Sequence, residues 1–316
     1  MPDLPHPITG EMTMIRTIFA AALAAPLMLA SAVAQDAPPA MTPDQGNVVY
    51  GMVSGTALLM DVYQPDLSRG IGIVVIPGSG WYRPELYSAP LLKDLAPRDY
   101  IRGAVHDLTE AGFTVFVINH RSHPGFHFPD PVDDARRAVR FVRASAESFG
   151  IDADQIGILG HSSGANLAAM TGVMDDTPGN GLDPIDQTSA AVQAVVTLAA
   201  PFDLVLDPEN VSAYGAQTIT SYIGEPWYGQ DNWYEQRTPP HIAASPVTYV
   251  DADDPPFLIV WSPDDTIVPP NQAARMDAVM NEAGARHEMI ETAPSGHEPV
   301  FPTDRVIAFF ARELEG

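Results

Sequence analysis

Short apolar runs recur along this chain, and the segments between them carry helical spacing. The runs are IGIVVIP (71–77), FTVFVIN (113–119), QIGILG (155–160), VQAVVTLAA (192–200), PFLIVW (256–261) and HEMIETA (287–293). A run without a polar face reads as a strand buried on both sides. Between them, Ala135, Ala138, Val139 and Val142 repeat at i, i+3, i+4 and i+7, with Arg136, Arg137, Arg140 and Arg143 mostly on other faces. Asp130-Pro131 is expected to open that helix as an N-cap followed by proline in the first turn. Further helices are expected over 163–174, 271–283 and 302–314. Strands alternating with helices predict an α/β fold, a mostly parallel sheet covered on both faces. Residues 203–250 are irregular and are expected to form a lid or insertion over one end of the sheet. No repeat or linker divides the chain, so 47–316 reads as one domain.

Composition narrows the function classes. Of 316 residues, 46% are hydrophobic, enough for one large core or two modest ones. The absence of cysteine excludes disulfides and thiolate chemistry. A formal charge of -24, with Lys93 the only lysine, makes nucleic acid a poor partner. Near the start, Met14-Ile15-Arg16 precedes the apolar stretch IFAAALAAPLMLA (18–30) and then Ala32-Val33-Ala34. This pattern predicts a secretory signal over 1–34, cleaved before Gln35, with a true start codon at Met14 one option. The stretch is too short to span a membrane, and no later segment is long enough. The expectation is an exported protein, periplasmic or secreted, with a flexible lead-in over 35–46.

The chemistry centres on Gly160-His161-Ser162-Ser163-Gly164, a G-x-S-x-G placed between the strand QIGILG and a helix. In a strand-to-helix turn this spacing forms a nucleophile elbow, and its geometry selects Ser162. Ser163 is expected to contribute its backbone N–H at the helix start, so its side chain should tolerate alanine. Such a serine needs a base and an orienting acid, in the order Ser, acid, His. His297 lies in the Gly-rich turn TAPSGHEPVF, and FLIVWSPDDTIVPP ends a strand on the pair Asp264-Asp265. Other histidines fit less well, and His161 is expected to point away from the apex of the elbow. The loop PGSGW supplies Gly78, Ser79 and Gly80, where small residues let backbone N–H groups approach an oxyanion.

These motifs, with LLMDVYQP, INHR, FPDPVDDARRAVRFV and ASPVTYVDADDPP, give the chain a resemblance to the α/β-hydrolases over most of its length after residue 47. Within that fold it resembles exported carboxylesterases of the feruloyl- or acetyl-esterase type, with an HGGGW loop and a GHSxG elbow. It is also similar to hormone-sensitive-lipase-like esterases and arylformamidases. The resemblance implies ester hydrolysis through an acyl-enzyme, with amide cleavage as the alternative and a non-catalytic binding protein as a further one. It implies Ser162 as nucleophile, His297 as base and Asp265, three residues before Val-Pro, as acid. It places the oxyanion donors at Gly78, Ser79 or Gly80 together with Ser163. Pro77 and Ser79 depart from the His and middle Gly of the HGGGW pattern. Trp81, His161, Trp227, Tyr228 and Trp233 are candidate substrate contacts, the last three with Tyr234 in an aromatic cluster of the insertion. No cofactor is expected. His120, His123 and His127 are read as a loop near the site mouth, not as a metal centre, because Pro124 and Gly125 break any common helical face.

Overall fold

The computed structural model describes residues 41–53, 55–83, 91–95, 102–178, 183–205, 211–225 and 239–315. Among these residues one eight-stranded sheet forms, in the order β1-β2-β4-β3-β5-β6-β7-β8. The strands are β1 Gln45–Val53, β2 Thr56–Tyr63, β3 Gly72–Ile76, β4 Thr114–Ile118, β5 Ile156–His161, β6 Ala194–Leu198, β7 Phe257–Trp261 and β8 His287–Glu291. β1 pairs antiparallel with β2, and β2 with β4, while the pairings from β4 to β8 are parallel. The expected strands are all present. β1 and β2 are additional, and β1 begins inside the stretch expected as a lead-in.

The helices are α1 Leu92–Leu95, α2 Arg102–Glu110, α3 Asp130–Ala144, α4 Ala146–Phe149, α5 Ser163–Val173, α6 Ala213–Ile223, α7 Pro239–Ala243, α8 Asn271–Ala283 and α9 Thr303–Leu314. Alternate strand residues feed two cores. Val74 and Ile76 of β3 join α3, α5 and α8 in one, and Ile73 and Val75 join α2 and α9 in the other. Each such fully buried side chain contributes about 1.5–3 kcal/mol relative to exposure. α5 is made of small and apolar residues and is buried nearly all round, as a helix under the sheet centre must be.

α3 differs from expectation at its start. Pro129 occupies the N-cap and Asp130 is the first helical residue, with no side-chain cap. The Asp130 carboxylate instead accepts from Arg121 at 2.8 Å. The arginines do not simply face solvent. Arg136 donates to the Met174 and Asp175 carbonyls, Arg140 to Thr177 and Thr188, and Arg143 to Ala153, Ser189 and Ala191. Arg137 donates to the Tyr50 carbonyl and pairs with Asp183 and Asp186. This row fastens the segments on either side of residues 179–182 to the helix. Lys93 is 1% exposed and pairs with the buried Asp61 of β2 at 3.0 Å.

Candidate active site

The site lies at the carboxyl ends of the parallel strands, where loops from β3, β5, β7 and β8 meet. β5 sits mid-sheet, with β3 and β6 on either side. It runs straight into α5, and Ser162 between them has φ 53° and ψ -125°. A non-glycine residue in such a region stores about 1–3 kcal/mol of strain, here held by the strand and helix on either side. Only glycine fits at the flanks. A Cβ at Gly160 would overlap the Gly164 carbonyl, and one at Gly164 would overlap that of Ile76.

Ser162 Oγ is 2.9 Å from His297 Nε2, and His297 Nδ1 is 2.8 Å from Asp265 Oδ2. Asp265 is buried, and its Oδ1 accepts the Ile267 and Val268 N–H groups at 2.8 and 2.9 Å. An ionised carboxylate only accepts, so Nδ1 carries the imidazole proton and Nε2 is left to accept from the serine hydroxyl. Ser162, Asp265 and His297 are therefore joined end to end.

Asp264 is not idle. Its Oδ1 accepts from the Ser262 hydroxyl at 2.7 Å and from the Ser295 and Gly296 N–H groups at 2.9 and 2.8 Å. The Ser262 hydroxyl, then the Gly296 N–H, holds the Asp264 carboxyl below the usual carboxylate range. The residue just before His297 is thus tied to the residue just before Asp265, a contact the sequence reading missed.

The 78–80 loop packs directly on the elbow. A Cβ on Gly78 would fall 2.8 Å from Ser162 Cβ. The Ser79 N–H donates to Ser163 Oγ at 2.9 Å. The expectation for Ser163 named only its backbone N–H; its hydroxyl also fastens the loop to the helix start. Trp81 is 2% exposed, has φ 52° and stacks on Tyr222 of α6 at 4.3 Å between ring centroids. It both lines the pocket and anchors α6 to the loop. His161 also borders the pocket, buried beside His297. Trp227, Tyr228, Trp233 and Tyr234 lie outside the described residues.

The pocket over Ser162 has a volume of about 220 Å³. Its walls include Val211, Tyr214, Thr218 and Ile219 from α6 and the segment before it, and Ile267 and Val268 after β7. None of these wall residues was anticipated. α6 carried a readable signal nonetheless: Ser212 caps its first turn by accepting from Gly215 N, and Gly224 ends it in the left-handed region. The three loop histidines diverge. His120 Nδ1 donates to the Arg121 carbonyl, His123 packs on the Tyr82 ring and His127 Nδ1 lies 2.9 Å from the Ser221 carbonyl. Among the described residues no group of three metal-ligating side chains converges, and no helix is long and apolar enough to cross a membrane.

Known proteins resemble this chain in sequence and in fold. The BD-FAE family matches residues 60–280. Esterase LipQ of Mycobacterium tuberculosis is 27% identical across 79% of this chain and 56% of its own length. The chain spans about half the length of the curated relatives it matches. A truncated form of a carbohydrate esterase from gut microbiota superposes with a TM-score of 0.69 at 27% identity, covering 86% of this chain and 96% of that one. The esterase Est2 of Thermogutta terrifontis shares the fold, with a TM-score of 0.64 at 21% identity over 84% of this chain and 91% of its own. An elbow on the central strand of a largely parallel sheet, with acid and histidine on later strand ends, is the α/β-hydrolase arrangement, and this chain belongs to the BD-FAE family.

Proposed function

We propose that this protein hydrolyses carboxylic esters through an acyl-enzyme on Ser162. The observation that carries the reading is the continuous hydrogen-bonded chain from Ser162 Oγ through His297 to Asp265, set on a strained elbow at the floor of a pocket. Ser162 attacks the carbonyl carbon while His297 Nε2 takes its proton. His297 then returns that proton to the leaving alcohol. Water repeats the sequence to release the acid. Asp265 holds the tautomer and balances the imidazolium. The Ser163 N–H, with that of Gly78 or Gly80, supplies the donors for the developing oxyanion, since the Ser79 N–H is held by Ser163 Oγ. The family and the esterase names of its relatives support ester over amide bonds. The pocket's modest volume and its aliphatic wall of Val211, Ile219 and Val268 favour a short acyl group. Likeness to a carbohydrate esterase makes acetylated sugars the first substrates to try, and a feruloyl ester tests whether a larger acid is also admitted.

The test offers short nitrophenyl esters, a feruloyl ester, acetylated xylan and formylkynurenine to wild type and Ser162→Ala. Ester turnover by wild type and its loss in the variant are expected. A fully active Ser162→Ala would overturn the mechanism, and turnover of formylkynurenine alone would favour amide cleavage. The rate should also fall at acid pH, because a protonated imidazole cannot accept the serine proton. We also propose export with cleavage before Gln35, motivated by the sequence of residues 14–34. The N-terminal mass of protein secreted by its natural host tests this, and an uncleaved chain would refute it.

A further inference from the structure

His161 stands between two loops that must keep their spacing. Its side chain is almost wholly buried, and its Nε2 lies 3.0 Å from the His297 carbonyl oxygen. A carbonyl only accepts, so Nε2 carries the proton and donates. The other side of the ring meets the oxyanion loop: a Cβ on Gly78 would come within 2.8 Å of His161 Nδ1 and 2.7 Å of its carbonyl oxygen. One imidazole therefore bonds the backbone at residue 297 and lies so close to residue 78 that a side chain there would collide with it. Its ring centroid is 5.1 Å from that of His297.

Resting on the ester-hydrolase reading above, we propose that His161 is a positioning residue, which sets the distance between the oxyanion loop and the loop of the base across Ser162. Residue 161 is suited to this because it immediately precedes the nucleophile in a turn whose flanks cannot shift. The task also demands a neutral donor. His297 gains a positive charge as it takes the serine proton, and a cationic brace 5 Å away would oppose that step. Burial, followed by the nearby His297, lowers the His161 pKa to about 3, with Asp265 opposing the shift. His161 is thus uncharged at neutral pH.

The test compares His161→Leu, which keeps bulk but has no donor, with His161→Gln, whose amide N–H can reach the same carbonyl. The Leu variant should lose about ten- to a hundredfold in kcat, with KM changed less than about twofold. The acid limb of its pH profile should move to lower pH, since a looser His297–Asp265 contact stabilises imidazolium less. The Gln variant should regain most of kcat and the original acid limb. Wild-type kcat and acid limb in the Leu variant, or equal losses in both variants, would overturn the proposal. If the Leu variant does not fold by circular dichroism, the Gln variant decides alone: kcat within about threefold of wild type supports the brace, and a loss beyond about tenfold refutes it. Wild type and Ser162→Ala are run alongside. A wild type inactive on every ester overturns the hydrolase reading itself, which is separate from an active wild type whose His161 variants are unaffected.

Discussion

Two regions of this molecule fix irregular backbone with charged side chains of opposite sign. On the α3 side, Arg136, Arg140 and Arg143 donate to carbonyls of the loops around them. Beyond β7 and β8, Asp264 and Asp265 accept from N–H groups. Either device satisfies backbone groups that would otherwise be costly to bury. Only the second can surround a base. His297 becomes a cation during the proposed reaction, so anions that hold its loop also favour its charged form. Arginines there could not accept from those N–H groups and would also raise the barrier. The sign of each anchor matches the backbone groups it meets, and beside His297 it also matches the charge that appears in the transition state. The α3 loops meet no such demand and use arginine, whose fork reaches two or three carbonyls at once.

Substitutions can break this contrast at four levels. The largest effect is expected from Asp265→Asn. It removes the anion and permits the wrong tautomer of His297, so kcat should fall about ten-thousandfold with stability little changed. A loss below about a hundredfold in steady-state assays would mean that Asp264 can take over the role. Next comes Asp264→Ala, which frees the Ser295 and Gly296 N–H groups. We expect kcat to drop about tenfold or more, because the turn carrying His297 loosens. Unchanged kcat would show that the turn holds itself. On the other side, Arg143→Met should leave kcat per folded molecule unchanged. It should cost about 1–3 kcal/mol in urea unfolding, since the Ala153, Ser189 and Ala191 carbonyls lose their donor. A loss of kcat at full folding would erase the distinction between the regions.

The smallest effect concerns Asp254, in the loop before β7. Burial, opposed by the Asp251 N–H and reinforced by the Asp251 carboxylate, raises its pKa to about 6. A raised carboxyl pKa means the folded chain holds this proton more tightly than the unfolded chain. Its stabilising contribution is present below the unfolded pKa of about 4 and is lost as pH rises through about 6. Asp254→Asn should therefore raise Tm by about 2 °C at pH 8 and give no gain at pH 4. Calorimetry at the two pH values measures it, and an equal shift at both would reject the titration.

Much of this was legible because the inner parallel strands, β3 to β6 and nearly all of β7, have no solvent face. The apolar run Ile156-Gly157-Ile158-Leu159, followed by glycines that nothing larger can replace, marks β5 and the elbow without any long-range information. β1 and β2 were harder for opposite reasons. β1 is an edge strand with register shifts and an exposed Val49 and Met52, so its pattern is mixed. β2 buries a carboxylate, Asp61, which looks like a surface residue until Lys93 is found against it. Asp130 looks like an N-cap until Pro129 occupies that position. Partnerships across the chain left no local trace. The Ser163 hydroxyl meets Ser79, and Asp264 meets the turn after β8. Spacing along one segment carries neither, because each depends on where two distant loops come to rest.

The burial of Lys93 has a practical consequence. It is the chain's only lysine, and its amine is enclosed against Asp61. Reagents that acylate or cross-link primary amines should therefore find only the α-amino terminus on the folded protein. Attachment to an amine-reactive support would proceed from that single point and present every molecule in one orientation, whereas the abundant carboxylates would give a random one.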